Sequence, residues 1–499
     1  LIQSLTKSEK RQFHLFVGRL NGNVEAKFFT LFKFLDKQDY YDETAIIKNG
    51  IVSKRQLSNL KAHLYHQILV CLRMNPTLRD IRIETREHLD FASVLYQKGL
   101  YKQSLKILAK AKTQAMAYEE KNIGYEIVEM EKLIESQYIT RSLKNRADEL
   151  SLQAKMLSVH NTITSKLSNL SLNLYSYLLK TGIARNDSEQ NKINSYFVKR
   201  LPKFDFAKAG FRERLWFYKA HLWRCFLTQD FLHAYKYSTK WVTLFRGAPN
   251  MIEANPVFYL KGINYMLESL FFIRKKASFH MELLRFEEEI SNGTIKKNNN
   301  TEVLIFLYYY NNQLHKHFLD GTFRDGECLV DEIVEGIQKY HVLLDQHHIV
   351  TMYYKIACLY FGMGENERCI KYLTKIINAK KLYVGEDLQC FARILNLLAH
   401  YECGMDYNLE RQYKDTYDFL NKKQNLQGVQ KELLESMRSL GDMYPNEFYR
   451  EFKRLYGVLK TYENHPYEKR AFIYLDVLSW LESKIYNKPI DIIIKEKAS

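Results

Sequence analysis

The densest collection of chemically suggestive residues in this 499-residue chain runs from Lys192 to Arg224, KINSYFVKRLPKFDFAKAGFRERLWFYKAHLWR. Lys192, Lys199, Arg200, Lys203, Lys208, Arg212, Arg214, Lys219 and Arg224 stand there against only Asp205 and Glu213. Phe197, Phe204, Phe206, Phe211, Trp216, Tyr218 and Trp223 are interleaved with them. Cations that follow a phosphate backbone, beside rings on which unpaired bases stack, are what single-stranded nucleic acid requires. On that reading Lys192 to Arg214 supply a polyanion-binding set. The same pattern also arises when rings pack inward and cations meet water, and Trp216, Ala220 and Trp223 have the helical spacing of core residues.

Catalytic signatures are missing. The sequence holds no G-x-x-x-x-G-K-[ST], no strand-borne G-x-G-x-x-G, no G-x-S-x-G and no H-E-x-x-H. His63 and His66 lie at i, i+3 on one expected helix but lack a third ligand at a matching spacing, and His315/His317 and His347-His348 fare no better. Glu287-Glu288-Glu289 reads as a solvated helix face. The expectation is a protein that is not an enzyme and uses no cofactor or metal.

The elements that would position such residues are clearest from Thr351 to Ile376, TMYYKIACLYFGMGENERCIKYLTKI. Tyr353, Ile356, Ala357 and Tyr360 fall at i, i+3, i+4, i+7 and paint one apolar face on a helix. Gly364 reverses the chain, and Cys369, Ile370, Leu373 and Ile376 repeat the spacing on a second helix. Small Ala357 lets the two approach closely. Such a hairpin cannot cover its own apolar face and has to stack on neighbours.

On these residues the hairpin resembles the tetratricopeptide repeat, with Cys369 and Ile376 where that family has smaller residues and without its closing proline. A second match runs from His88 to Ala111 through Phe91, Ala92, Leu95, Gly99, Tyr101, Ser104, Leu108 and Ala111. Weaker copies turn near Gly321 (with Phe323, Gly326 and Val330), near Gln229 (with Phe231, Ala234, Ser238 and Trp241) and near Met405 (with Tyr407). The resemblance implies an all-α fold: a right-handed α-solenoid of about eight hairpins with helical caps at both ends. It also implies a concave face that binds a protein or peptide. The lysine and asparagine clamp that many such arrays use on a partner's terminal carboxylate is absent, since the corresponding positions are Leu89, Ser93, Tyr354 and Cys358. Aromatics on the expected inner helices, Tyr308, Tyr309, Tyr310 and Tyr401, are the candidates to line the groove instead.

Turns are expected near Gly99, Thr140, Gly182, Gln229, Lys275, Gly321, Gly364 and Met405, about 41 to 47 residues apart, so the helices should be longer than in the standard ~34-residue unit. Residues 1–76 read as an N-terminal helical capping module, 77–445 as the array, and 446–499 as a C-terminal cap and tail. In the first module a helix from Ser53 to Arg73 carries Lys54, Arg55, Lys61 and Arg73 but is too apolar, with Leu60, Leu64, Ile68, Leu69 and Leu72, for a DNA-reading helix. The stretch 293–302 is expected to be a flexible loop, 467–486 a helix, and 489–499 a partly frayed tail, with docking through Ile490, Ile492, Ile493 and Ile494 as the alternative. All seven prolines sit between helical patterns.

Composition sets the outer bounds. A chain of this length exceeds one ordinary core, and 46% hydrophobic with 26% charged residues is normal for a folded protein. The net charge of +17 favours an anionic partner but is dilute over a long array. Seven cysteines without a C-x-x-C pair read as reduced thiols within apolar helix faces, and no apolar run reaches the ~20 residues that span a bilayer, so a cytoplasmic location is expected. Two functions remain in view. One is a scaffold or adaptor for a protein or peptide; the other is an RNA- or ribonucleoprotein-associated factor using the basic faces. A peptide-sensing regulator that reads DNA through residues 1–76 is a third, disfavoured by the apolar reader.

Overall fold

The computed structural model describes residues 1–19, 26–38, 40–75, 80–137, 145–379, 386–404, 406–422, 428–441, 443–444, 447–468, 472 and 476–498. Among them every regular element is helical, and no helix is long and apolar enough to cross a membrane. The chain divides into two units, Leu1–Leu157 and Ser158–Ser499. The expected boundaries at Pro76 and Pro445, and the expected turns at Thr140 and Met405, lie outside the described residues.

In the first unit, α1 (Lys7–Arg19), α2 (Lys27–Asp36), α3 (Glu43–Lys48) and α4 (Lys54–Met74) enclose Phe13, Phe29, Leu31, Phe32 and Ile46. A hairpin follows, α5 (Ile81–Gln97) against α6 (Tyr101–Ala117), with α7 (Lys121–Gln137) packed on α6. The small residues of the repeat pattern make the closest approach: Ala92 and Ala111 are fully buried, and the Ser104 hydroxyl donates to the Ala92 carbonyl at 2.8 Å. Phe91 departs from the pattern. It is 50% exposed, because the packed face of α5 runs through Thr85, Leu89, Ala92 and Tyr96, and a neighbour of Ala92 in sequence is turned ~100° away. The 36-residue α8 (Arg146–Thr181) begins in this unit and ends in the next.

The second unit continues with α9 (Asp187–Arg200), α10 (Phe211–Leu227), α11 (Phe231–Arg246), α12 (Pro249–Ala254), α13 (Pro256–Phe272), α14 (Lys276–Ser291), α15 (Asn299–Asp320) and α16 (Cys328–Lys339). Then come α17 (Gln346–Met363), α18 (Asn366–Ile377), α19 (Glu386–Glu402), α20 (Asp406–Lys422), α21 (Gly428–Gly441), α22 (Phe448–Tyr462), α23 (Val477–Tyr486) and α24 (Ile490–Ala498). Most helices pack on a neighbour in sequence: α10 on α11, α17 on α18, α18 on α19, α22 on α23. Others pack on the next but one, as α11 on α13, α13 on α15 and α15 on α17. Ala357, Cys369, Leu373 and Ile376 of the clearest hairpin are all fully buried.

The reversals share one backbone feature. Gly99, Gly182, Gln229, Arg274, Gly321, Gly364 and Gly404 all have φ between +53° and +80°. That left-handed residue lets the last carbonyls of one helix be capped before the next begins. Glu119 (φ +56°) ends α6 in the same way, a turn with no glycine to announce it.

Two segments differ from expectation. In 293–302, Ile295 is buried, and Asn298 starts α15 with a capping box in which its side chain accepts from the Thr301 amide and the Thr301 hydroxyl accepts from the Asn298 amide. Asparagine runs suit loops and caps alike, and here the cap wins. In 467–486 the helix begins only at Val477, behind the Asp476 cap; Leu475 lies outside the described residues. Tyr467 is instead buried in a turn, where its hydroxyl donates to Asp187 (2.5 Å) and Gln190 (2.9 Å) while its carbonyl accepts from the Gln229 amide at 3.1 Å. In the tail the docked alternative holds over the described residues: α24 packs on α15, α17 and α23, burying Ile493.

One substitution should act with opposite signs at two glycines. At Gly364 the φ of +80° penalises any Cβ, although the space around it is empty, so Gly364→Ala should cost about 1 kcal/mol. Gly457, inside α22 and equally open, has an ordinary helical backbone, so Gly457→Ala should add about 0.5–1 kcal/mol. Urea unfolding of both variants measures this, and the same sign at both sites would refute the turn assignment.

Candidate functional site

The polar groups of the second unit converge where α10, α13, α15 and α17 face a common cavity of about 320 Å³. Helical spacing selects its lining: Trp223 and Phe226 on α10, Asn264, Tyr265, Glu268 and Phe272 on α13, Tyr308 and Asn311 on α15, and Thr351 and Lys355 on α17. Rings form much of the wall. Trp223 meets Tyr265 at 5.4 Å between centroids, and Phe226 meets Tyr265 at 5.9 Å and Phe272 at 6.3 Å, all steeply tilted.

Lys355 is only 3% exposed. Its ammonium donates to Asn311 Oδ1 and lies 2.8 Å from His315 Nε2. His315 is stacked flat on Phe271 at 4.0 Å, and burial together with the Lys355 charge holds its pKa well below the usual imidazole value, so it serves Lys355 as a neutral acceptor. Burial draws the Lys355 pKa down to about 8 in spite of the opposing pull of Glu268. Glu268 shows the mirror effect: burial raises its pKa, against Lys355 and the amides of Asn264 and Asn311. It is surrounded by protein yet retains partial exposure, because it opens on the cavity. Asn264 Oδ1 accepts from Asn312 (3.1 Å) and Asn311 (3.4 Å), and Asn312 also donates to the Tyr308 carbonyl at 2.7 Å. Burial and the nearby Glu268 push the Tyr308 hydroxyl pKa up, so it stays a neutral donor.

The residues singled out from sequence are distributed differently. Lys192, Lys199, Arg200, Lys203 and Lys208 are exposed, whereas Arg212 and Arg214 are half-buried on α10. Arg214 donates to the Ala207 carbonyl at 3.3 Å and lies over Phe206, while Arg200 lies over Tyr196 at 4.1 Å. The interleaved rings mostly pack on protein: Phe197, Phe211, Tyr218 and Trp223 are buried, and Phe204, Phe206 and Phe217 contact one another. Of the four tyrosines, only Tyr308 reaches the cavity. Tyr309 and Tyr310 line a separate open groove beside Glu332 and Lys339, with the Tyr310 hydroxyl donating to Glu332 at 2.6 Å. Tyr401 packs on Phe452 and Trp480. Consecutive helical residues point ~100° apart, so the three adjacent tyrosines cannot share one face.

Two other readings need correction. Of Glu287-Glu288-Glu289 only Glu288 is exposed; Glu289 accepts from the Tyr259 hydroxyl (2.8 Å) and Arg246 (3.1 Å), and Glu287 from Gln313. The helix repeat puts one residue of any such triplet near the core. Cys328 is exposed rather than in an apolar face, because it opens α16 at the turn from Gly321; the cysteines are all free. Among the described residues no group of three His, Cys, Asp or Glu side chains could hold a metal.

Asn264, Glu268, Asn311 and Lys355 were not singled out from sequence for a site. The signal was present. Glu268 interrupts the apolar run from Val257 to Ile273, and Lys355 stands inside the apolar helix face of Tyr353, Ile356, Ala357 and Tyr360, where an ionisable residue needs a partner or a purpose.

The buried lysine has a measurable signature. Its folded pKa of about 8 lies below the ordinary 10.5, so between those values the unfolded chain binds a proton that the folded chain has released. Stability therefore rises with pH across that window and is insensitive to Lys355 below it. Relative to Lys355→Met, the wild type should gain on the order of 1 kcal/mol per pH unit from about pH 8 upward, read from urea midpoints. A difference that stays flat from pH 7 to 10.5 would mean that Lys355 is not buried as a cation.

Comparison of the chain with protein-family models, with curated proteins and with solved structures gives no match.

Proposed function

We propose that the chain is a non-enzymatic scaffold or adaptor, a right-handed array of about eight tetratricopeptide-like hairpins between helical caps, acting in the cytoplasm. The face built by α10, α13, α15 and α17 takes a protein or peptide partner. The observation that carries this reading is the wall of that cavity, where side-chain amides of Asn264 and Asn311 sit among rings. A peptide presents side chains with apolar bodies and polar ends; aromatic walls bury the first, and the polar groups that open on the cavity, Glu268 and Thr351 among them, answer the second. Seven free cysteines are in keeping with a reducing compartment.

The exposed cations Lys192, Lys199, Arg200, Lys203 and Lys208 support a second reading, a factor that contacts RNA or a ribonucleoprotein. They supply attraction to phosphate without the stacking half of the mechanism, since the neighbouring rings are engaged with protein. It ranks second for that reason.

One pair of variants separates the two. Peptides selected on the full chain should lose about tenfold or more in affinity on Tyr308→Ala or on Thr351→Arg, which fills the cavity, and should be indifferent to charge reversal at Lys199, Arg200, Lys203 and Lys208. Fluorescence polarisation measures this. Ligands that survive the cavity changes but are lost on charge reversal, with affinity falling steeply against log salt, would replace the groove with the polyanion reading.

A further inference from the structure

We propose that the cavity of the second unit is an organic-cation site, in which an ammonium group sits against the rings of Trp223, Phe226, Tyr265, Phe272 and Tyr308 and pairs with the carboxylate of Glu268. This goes beyond the peptide groove and does not require it, because a free organic cation would fill the same site.

The walls come first. The rings of Trp223, Phe226, Tyr265 and Phe272 meet pairwise at interplanar angles of 48° to 83°, so they do not stack into a slab but line the cavity at varied tilts. Aromatic faces carry partial negative charge, and several faces around one small space attract a cation more than a neutral or anionic group of the same shape. Desolvation strengthens the preference, and the cavity is partly enclosed by the helices that line it.

The carboxylate comes second. No ion pair engages Glu268 among the described residues; against burial, Lys355, the amides of Asn264 and Asn311, and His348 favour its ionised form. A carboxylate opening on a cavity without a direct counter-ion is costly to keep charged, and an incoming cation relieves that cost. Lys355 does not take this place: its ammonium is already held by Asn311 Oδ1 and His315 Nε2. An anion drawn toward Lys355 would have to lie against ring faces and beside Glu268, an arrangement that electrostatics opposes on both sides. The ligand class is therefore a primary or quaternary ammonium small enough for about 320 Å³, either free or at the end of a peptide side chain.

The test uses the intact chain and two probes of one shape, choline and its uncharged isostere 3,3-dimethylbutan-1-ol. Binding is followed by calorimetry and by the emission of Trp223 against the three other tryptophans. Choline should bind about tenfold or more tighter than the neutral probe. Glu268→Gln should remove most of that discrimination while leaving the urea midpoint close to wild type, and Trp223→Leu should weaken choline and abolish the emission change. Equal affinity for the two probes, tighter binding of the neutral one, or discrimination that survives Glu268→Gln would overturn the proposal. The wild-type comparison stands even if a variant fails to fold. A peptide bearing trimethyllysine that outcompetes choline would identify the source as a side chain, and one that binds no better would identify a free cation. Choline binding without any selected peptide would keep the cation site and discard the groove; peptide binding without choline discrimination would do the reverse.

Discussion

The constraint on which the described structure rests is that a pair of helices such as α17 and α18 cannot hide its own apolar face. Ala357, Leu373 and Ile376 leave water only because α17 and α18 have α15, α16 and α19 against them, and the same holds for Trp241 between α11 and α13. Each burial depends on its neighbour. At ~25 cal/mol per Å², a single exposed hairpin face would forfeit several kcal/mol, comparable to the whole stability of an ordinary domain. Packing between neighbouring helices is therefore obligatory, and α11 on α13, α13 on α15 and α15 on α17 carry it beyond the nearest neighbour in sequence. The cavity follows from that packing, since α10, α13, α15 and α17 each contribute a few residues to a wall that none could form alone.

Sequence reading captured the parts of this that are local. Gly99, Gly182, Gly321 and Gly364 marked reversals because only glycine occupies the left-handed region without strain, and small residues such as Ala92 and Ala357 marked close helix contacts. The reversal at Gln229 was marked by Phe231, Ala234, Ser238 and Trp241 after it, the one expected near Lys275 falls at Arg274, and the one at Glu119 was missed, since a non-glycine residue there leaves no compositional trace. What escaped was everything that depends on which face a residue occupies. Phe91 is exposed beside buried Ala92, Glu289 is buried beside exposed Glu288, and Tyr308, Tyr309 and Tyr310 point into two different spaces. An error of one residue in helical phase is an error of ~100° in direction. The aromatic and basic stretch from Lys192 to Arg224 was prominent because composition is visible; the pairing of Asn311 with Lys355, 44 residues away, is not.

The polar cavity also carries a cost that the packing of the helices does not need. Lys355 and Glu268 both sit where burial disfavours their charged forms, and neither is relieved by a direct salt bridge to the other. Replacing such a pair with well-packed hydrophobic residues is often neutral or stabilising. The pair contrasts with the cluster of Arg246, Tyr259, Glu282 and Glu289, in which every charge meets an opposite one within 3.1 Å and whose role is to pin α11, α13 and α14 together.

The bonds that Tyr467 makes to Asp187, Gln190 and Gln229 join positions up to 280 residues apart. A stack held only by nearest neighbours behaves like a chain of weakly coupled links: it peels from an end, and its melting broadens as links are added. A latch between the last helices and the first changes that mechanics, because neither end can lift away without first breaking a buried tie at the other. Pulled or heated, the second unit should hold its full length until the latch gives and then let go in one event.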